Sequence, residues 1–184
     1  MRIISGIYKG RKLKSSDDLS IRPTTDRVKE LIFNVLQDFP AGKTVLDLFS
    51  GSGSLGLEAL SRGAEKVYFV DSSNKSLEIL KQNIKAIGVP QENYIILKQA
   101  AIEFAKQTTT PIDLLLLDPP FKYSELQLLI DTLFKSPMMT PKSLLVLEHE
   151  RINPIEMQSS LYDVLIQKKT GRSLISFLVR KENE

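Results

Sequence analysis

The chain has 184 residues, of which 42% are hydrophobic and 26% charged, and its net charge is +3. This length and this apolar fraction predict one globular domain with a core of its own. The sequence contains no cysteine and one histidine, which excludes disulfides, thiolate nucleophiles and the usual Cys/His zinc site, so we expect no metal.

The N-terminal 30 residues are basic rather than apolar. They lack the apolar segment of a signal peptide, and no apolar run in the chain reaches the roughly 20 residues that span a bilayer. We therefore expect a cytoplasmic, monomeric protein with no membrane partner. Residues 1–30 hold eight Lys or Arg against four Asp or Glu, whereas the rest of the chain holds 17 basic and 18 acidic residues. This distribution suits a polyanionic partner, although an ordinary solvated basic surface has the same composition.

The first elements along the chain are a predicted β-hairpin and a helix. Residues 2–5 and 7–13 are predicted to form two short strands around Gly6. After a polar loop, Thr24 or Thr25 suits the N-cap of a helix whose apolar residues recur at helical spacing.

From residue 44 onward, buried strands alternate with helices. The predicted strands cover residues 44–49, 67–70, 94–97, 112–117 and 143–147, and the predicted helices cover residues 54–62, 73–87, 100–107, 124–135 and, as a short one, about 154–160. Residues 162–168 and 174–180 are predicted to form an antiparallel hairpin. Continuous apolar strands that alternate with helices indicate an α/β fold with a parallel sheet covered on both faces.

A glycine motif lies between the first buried strand and the helix after it, where Gly51, Gly53 and Gly56 form the pattern G-x-G-x-x-G. These glycines permit a tight turn and a close approach of the backbone to a ligand. Asp47 precedes them in an apolar strand, where a carboxylate needs a partner and suits a cationic amino group better than a pyrophosphate. A solvated helix N-cap is the alternative for Asp47. Asp71 ends the next strand. An acid there can accept the ribose hydroxyls of a dinucleotide or of S-adenosylmethionine, so it does not distinguish the two cofactors.

A rigid turn with the sequence Asp118-Pro119-Pro120-Phe121 directly follows a buried strand that ends in four leucines. Ligands of such sheets bind beyond the carboxyl ends of the strands, so Asp118 is predicted to lie in the binding crevice. The two prolines fix φ and stiffen the turn. The Asp118 carboxylate and the Pro119 carbonyl can then accept both N–H groups of a planar amine, while Phe121 stacks on the base. The turn indicates methyl transfer to such an amine from S-adenosylmethionine, although Asp-Pro-Pro also occurs in plain loops.

The glycine loop, Asp71 and the Asp118–Phe121 turn resemble those of class I methyltransferases that modify exocyclic amines. Further stretches are similar to the RsmD-type bacterial enzymes, which methylate N2 of a guanine in small-subunit ribosomal RNA. These stretches are residues 2–6 (RIISG), 9–13 (KGRKL), 21–30 (IRPTTDRVKE) and 57–64 (LEALSRGA).

The resemblance implies a Rossmann-like class I methyltransferase fold. Its sheet is expected to be mostly parallel and seven-stranded with an antiparallel last strand, next to a small N-terminal β-hairpin. Residues 1–24 would then be a basic element that contacts RNA, and residues 25–184 an S-adenosylmethionine-dependent methyltransferase domain. The implied methyl donor is S-adenosylmethionine, and the implied partner is 16S rRNA or a small-subunit assembly intermediate.

The resemblance also assigns roles to individual residues. The guanine would be held by Asp118, Pro119, Pro120 and Phe121. The cofactor would be bound by Asp47, Phe49, Gly51, Gly53, Asp71 and Gln99. The RNA would be contacted by Arg2, Lys9, Arg11, Lys12, Arg22, Thr24 and Arg27. Gln99 departs from the family pattern, in which an acid commonly contacts the adenine amine. Phe49 suits core packing equally well, and a structural or solvent-facing role, rather than a catalytic one, is expected for the single histidine, His149.

Other functions use the same pattern. Related turns serve methylation of adenine N6 in nucleic acid or of a glutamine side chain in protein. A catalytically silent RNA-binding assembly factor with a methyltransferase fold is a third hypothesis, against which the intact Asp118–Phe121 turn argues. A dinucleotide-dependent oxidoreductase is a fourth.

Overall fold

The computed structural model describes residues 1–15, 26–121, 123–152 and 154–181, and these residues form a seven-stranded sheet with helices on both faces. The strands are β1 (Thr44–Leu48), β2 (Lys66–Asp71), β3 (Tyr94–Lys98), β4 (Ile112–Leu117), β5 (Met139–Glu150), β6 (Tyr162–Thr170) and β7 (Ser173–Arg180). The helices are α1 (Asp26–Leu36), α2 (Ser54–Ser61), α3 (Asn74–Ile87), α4 (Ala101–Gln107) and α5 (Leu126–Lys135). None of these helices has the length and apolar character needed to cross a membrane.

The strand order is β3-β2-β1-β4-β5-β7-β6, and β7 runs antiparallel to both of its neighbours while the other pairs are parallel. The predicted α/β fold with a reversed last strand is therefore confirmed. The central strands β1 and β4 are buried along almost their whole length, as expected for apolar strands covered from both sides.

Each face of the sheet carries its own hydrophobic core. One core joins α1, α2 and α3 to the sheet and includes Ile3 and Leu13 of the N-terminal segment. The other core lies under α4 and α5 and includes Leu147 and Tyr162. Alternate residues of β1 serve the two cores, since Val45 belongs to the first core and Leu46 to the second. The N-terminal segment thus packs on the same face as α1 to α3.

Two predicted elements differ from the structure. The strands expected over residues 2–5 and 7–13 are reduced to one antiparallel bridge, between Arg2 and Lys12. The segment does return on itself, but the backbone N–H groups of residues 4, 5, 7 and 8 donate to groups of α2 instead of to a paired strand. Thr24 and Thr25, the predicted N-caps, lie outside the described residues.

The short helix predicted near residues 154–160 is wrong, because the described part of this segment has no helical turn. Its backbone groups are bonded to side chains of other elements instead. The N–H of Glu156 donates to Gln127 in α5, and the carbonyl of Glu156 accepts the hydroxyl of Tyr162. These bonds give the segment the partners that helical hydrogen bonds would otherwise supply.

Candidate active site

The predicted site residues meet at the carboxyl edge of the three central strands. In the register of the sheet, Leu48 pairs with Val70 on one side and with Leu117 on the other. The three strands therefore end at the same level, and Phe49, Asp71 and Asp118 lie at or just beyond these ends. The glycine loop and the Asp118–Phe121 turn consequently flank one crevice, which is where parallel sheets bind their ligands.

Asp47 is a buried carboxyl group at this edge, with 2% of its surface exposed. Its Oδ2 accepts the backbone N–H of Gly56 in the first turn of α2 at 2.8 Å. Burial raises the pKa of Asp47 well above its usual range, the Gly56 N–H lowers it, and the charges of Asp118 and Asp71 raise it again. The alternative of a solvated N-cap does not hold, because Asp47 supports α2 from within the core. The Asp118 and Asp71 carboxylates therefore lie close enough to Asp47 to influence its ionisation electrostatically.

The three glycines of the motif have different surroundings. A Cβ on Gly56 would lie 2.3 Å from the Phe69 ring and 2.9 Å from Asp47 Oδ2, so this glycine lets α2 pack onto the sheet. A Cβ on Gly53 would lie 2.3 Å from Leu80 of α3. A Cβ on Gly51, which has φ +54°, would meet only the Phe49 carbonyl oxygen, at 3.9 Å. Gly51 is thus the glycine of the motif that faces open space.

Asp71 joins the end of β2 to the glycine loop. Its Oδ2 accepts the backbone N–H of Gly51 at 2.8 Å, and its Oδ1 accepts that of Ser73, the N-cap of α3, at 2.8 Å. Both oxygens are therefore fixed in direction. Because an ionised carboxylate has about four acceptor positions, Asp71 keeps capacity for further donors in the crevice.

Three residues of the Asp118–Phe121 turn, Pro119, Pro120 and Phe121, line a shallow cleft that opens to solvent. Its other lining residues are Tyr123, Leu126, His149 and Glu150. Pro119 is buried, Asp118 is half-buried, and the Phe121 ring is 41% exposed. The N–H of Tyr123 donates to the Pro120 carbonyl at 3.1 Å, which closes the turn. The turn thus offers a half-buried carboxylate beside an accessible aromatic face.

Phe49 connects the two sides of the crevice. It is a non-glycine residue with φ +67°, which costs about 1 kcal/mol or more and turns the chain sharply at the end of β1. Its ring meets that of Tyr123 edge to face, with the ring centroids 5.2 Å apart. Tyr123 also lines the cleft beside Phe121, although the sequence pattern did not single it out.

Gln99 lies after β3, at the outer end of the same edge. Its backbone N–H donates to the Asp71 carbonyl at 3.1 Å, and its side-chain Nε2 donates to Gln107 Oε1 of α4 at 2.8 Å. The amide is therefore oriented by α4.

The N-terminal segment is tied to the glycine loop through Asn83 of α3, a residue with 1% exposure. Asn83 Oδ1 accepts the N–H of Lys14 at 2.8 Å, and its Nδ2 donates to the carbonyls of Lys14 at 3.0 Å and Ser52 at 2.9 Å. One amide thus joins the segment to the loop. Lys14 and Asn83 are 69 residues apart in the sequence, so no local sequence pattern predicts this contact.

A buried ionic group anchors the start of the same segment. The Glu58 carboxylate accepts the N–H groups of Ile4 at 2.8 Å and Ser5 at 3.1 Å, and Arg62 bonds to it at 2.9 Å. Lys29 lies 4.0 Å away and donates to the Arg2 carbonyl. Burial lowers the pKa of Lys29, and the neighbouring Glu58 raises it. Gly6 permits this close contact, since a Cβ there would overlap the Ser61 carbonyl.

The residues predicted to contact RNA are exposed where the structure describes them. They are Arg2, Lys9, Arg11, Lys12 and Arg27, whereas Arg22 and Thr24 lie outside the described residues. Arg2 forms an ion pair with Asp26 at 3.8 Å. His149 is buried, and its Nε2 lies 2.9 Å from Ser176 Oγ, consistent with the structural role expected for it.

A mostly parallel seven-stranded sheet with one reversed strand and a glycine loop after its first strand is the Rossmann-like fold of class I methyltransferases. The solved structure of a candidate methyltransferase from Escherichia coli superposes with a TM-score of 0.88 and 30% identity, covering 98% of both chains. A candidate methylase from Haemophilus influenzae superposes with a TM-score of 0.83 and 33% identity, covering 99% of both chains.

The family follows from the sequence comparisons. A family model described as conserved hypothetical protein 95 matches residues 1–179. The ribosomal RNA small subunit methyltransferase D of Haemophilus influenzae is 36% identical over 173 residues, which cover 93% of this chain and 89% of that protein. Its Escherichia coli K12 counterpart is 33% identical over 172 residues, covering 94% and 86%. The chain belongs to this family, the RsmD-type methyltransferases, and the resemblance predicted from the sequence is confirmed.

Proposed function

We propose that this chain transfers a methyl group from S-adenosylmethionine to the exocyclic N2 amine of a guanine in 16S rRNA. The observation that carries the proposal is the shared strand-end level of Phe49, Asp71 and Asp118. It brings the glycine loop and the Asp118–Phe121 turn to one crevice, so that a cofactor and a base can meet there. The 16S rRNA, or a small-subunit assembly intermediate, is the proposed partner.

The glycine-loop side of the crevice fits S-adenosylmethionine. Gly51 borders open space, as a backbone that cradles a ligand requires. The oriented oxygens of Asp71 suit ribose hydroxyls, and the carboxyl group of Asp47, in its ionised form, suits a cationic amino group. We propose that Phe49, Gly53 and Gln99 complete the cofactor-binding site around these residues. When bound, this cofactor supplies an electrophilic methyl group on a positively charged sulfur.

The Asp118–Phe121 turn would hold the guanine. The Asp118 carboxylate accepts one N–H of the amine and the Pro119 carbonyl accepts the other, so that the nitrogen lone pair is directed toward the cofactor side. Both acceptors favour the developing positive charge on nitrogen, which gives preferential stabilisation of the transition state. Phe121 stacks on the base, and Pro119 and Pro120 keep the acceptors in place. The amine proton leaves after transfer, so no strong base is required.

Exposed cations of the N-terminal element, together with Arg27 at the start of α1, would bind the RNA backbone. Arg2, Lys9, Arg11, Lys12 and Arg27 are exposed, and phosphate contacts of this kind position a protein without reading sequence. Arg22 and Thr24 complete the proposed set. In this division, residues 1–24 form the RNA-contacting element and residues 25–184 the catalytic domain.

Replacing Asp118 tests the proposal. We expect Asp118→Ala to reduce methyl transfer to 16S rRNA by about 100-fold or more, because one preorganised charged acceptor is lost. Binding of S-adenosylhomocysteine, measured by calorimetry, should change by less than about twofold. Asp163→Ala is the matched control. Asp163 is an exposed carboxylate near the start of β6, away from the carboxyl edge of the sheet, and its replacement should leave both values unchanged. Loss of cofactor binding together with activity would contradict the base-holding role.

The substrate is tested separately with a labelled methyl group. Transfer is measured to 16S rRNA, to plasmid DNA and to a release-factor-like protein, and methylated rRNA is digested to nucleosides for mass spectrometry. We expect N2-methylguanosine. Methylated adenine or methylated glutamine would show that the acceptor is not the proposed guanine. Cofactor binding with no transfer to any of the three substrates would indicate a catalytically silent assembly factor.

A further inference from the structure

A second group of cations lies beside the cleft, at the tip of the β6–β7 hairpin. We call Arg151, Lys168, Lys169 and Arg172 the hairpin cluster; all four side chains are exposed. None of them forms an ion pair with another residue in the described part of the chain. Glu150 is the half-buried acid among them. The excess of unpaired cations makes this tip locally basic, although the chain after residue 30 carries no net positive charge.

The register of the sheet places the hairpin cluster next to the proposed guanine site. His149 of β5 pairs with Leu174 of β7, which pairs with Lys169 of β6. Paired residues of neighbouring strands point to the same face of a sheet, so Lys169 lies on the face of His149. His149 itself lines the cleft with Pro119 and Phe121.

The hairpin also extends beyond the edge at which the central strands end. Leu117, the last residue of β4, is level with Leu147, and β5 continues for three residues to Glu150. At about 3.3 Å per residue, the tip rises roughly 10 Å above this level. The N–H of Arg151 donates to the Arg172 carbonyl at 3.0 Å, which ties the chain after β5 to the tip. The hairpin cluster therefore lies beside the cleft, on a hairpin tip that is hydrogen-bonded to the chain after β5.

We propose that the hairpin cluster is a second phosphate-binding surface for the substrate RNA. The N-terminal segment is bonded to α2 and α3, on the β2 side of the crevice, whereas the hairpin lies on the β6 side. An RNA strand held at both places would cross the cleft, with its target base over the Asp118–Phe121 turn. Arg and Lys side chains of this kind contact phosphates and fix the register of the strand. The inference rests on the proposed function, because it takes a nucleic acid as substrate.

The test compares two triple variants with equal loss of charge. The first replaces the cluster (Lys168→Ala, Lys169→Ala, Arg172→Ala). The control replaces three exposed lysines at the amino edge of the sheet (Lys85→Ala, Lys135→Ala, Lys142→Ala). The dissociation constant of a 16S rRNA transcript is measured from 50 to 200 mM KCl, and S-adenosylhomocysteine affinity and melting temperature check that each variant is folded.

We expect the cluster variant to bind the transcript about tenfold more weakly at 0.1 M salt. The slope of log K against log salt should fall by about 2 in magnitude, since each lost phosphate contact removes about 0.7–0.9. The control should keep the wild-type slope. Equal losses in both variants, or no loss in the cluster variant, would overturn the proposal. So would weaker adsorption to anionic phospholipid vesicles with unchanged RNA binding, which would assign the surface to a membrane.

The same experiment separates this inference from the proposed function. If the wild-type protein methylates plasmid DNA and not rRNA, the proposed function fails, and the slope comparison on that DNA decides the role of the hairpin cluster. If it methylates only a protein and binds no nucleic acid, both are wrong.

Discussion

The glycine loop and the Asp118–Phe121 turn end at the same edge of the sheet, but different forces hold them in place. The loop is tied by hydrogen bonds with three buried or half-buried side chains: Asp47 accepts the Gly56 N–H, Asp71 accepts the Gly51 N–H, and Asn83 donates to the Ser52 carbonyl. Among the contacts of the described residues, the turn is held by its two proline rings, by the bond from the Tyr123 N–H to the Pro120 carbonyl, and by the contact of Tyr123 with Phe49. Changes in the loop should therefore affect folding and function together, whereas changes in the turn should affect mainly function.

The largest expected effect on stability separates two glycines of the loop. Gly56→Ala should cost about 3 kcal/mol of unfolding free energy, because its Cβ would overlap the rigid Phe69 ring and crowd Asp47. Gly51→Ala should cost only about 1 kcal/mol, from its positive φ, and should still weaken S-adenosylhomocysteine binding. Urea unfolding and calorimetry measure the two quantities. Equal destabilisation by both changes would remove the distinction between a packing glycine and a ligand-facing one.

Asn83→Ala should cost about 2 kcal/mol, since it leaves part-buried backbone groups of Lys14 and Ser52 without this partner. Cofactor affinity should fall as well, because the loop loses a support. Asn93→Ala is the matched control: it removes one hydrogen bond, to the Glu65 carbonyl, at a half-buried site, and should cost less than about 1 kcal/mol. If Asn83→Ala leaves cofactor affinity unchanged, the loop does not depend on this amide.

Asp47→Asn should stabilise the protein at neutral pH while weakening the cofactor site. Burial raises the folded-state pKa of Asp47, so the folded protein retains a proton that the unfolded chain releases above about pH 4. The unfolding free energy of the wild type therefore falls as pH rises toward the folded-state pKa, by at most about 1.4 kcal/mol per pH unit. The variant lacks this loss of stability. The difference in unfolding free energy between the variant and the wild type, measured by urea titration, should therefore grow with pH. A constant difference, or a variant that is less stable at pH 7, would contradict this account.

The smallest expected effect concerns the turn. Tyr123→Leu removes the edge-to-face contact with Phe49 and should cost about 1 kcal/mol, while Tyr123→Phe keeps the ring and should cost less. Methyl transfer by the Leu variant should fall several-fold with little change in cofactor affinity. A Phe variant as impaired as the Leu variant would show that the hydroxyl, rather than the ring contact, matters.

The sequence predicted the sheet and the position of its functional edge because both depend on local patterns. An apolar run that ends in Asp47 and a glycine loop, or in Asp118 and two prolines, marks a strand and its carboxyl end without any knowledge of distant residues. The hidden supports were not predictable in this way. Glu58 and Asn83 look like ordinary polar helix residues, and their partners in the N-terminal segment lie 53 to 69 residues away in the chain.

The two errors have a similar cause. Residues 2–5 and 7–13 have the composition of strands, but α2 takes the backbone donors that a ladder would use. The segment near residue 156 has its backbone bonded by Gln127 and Tyr162 in place of helical partners. In both places, long-range hydrogen bonds overrode local preference.

The burial of Glu58 against residues 4 and 5 has a consequence for the order of folding. Residues 4 and 5 cannot dock until α2 has formed, and Lys14 cannot bond to Asn83 until α3 has left the exit tunnel. Such contacts of long sequence separation form slowly. The N-terminal segment thus reaches its native place only after the two helices that hold it, and until then the Glu58 carboxylate stays hydrated.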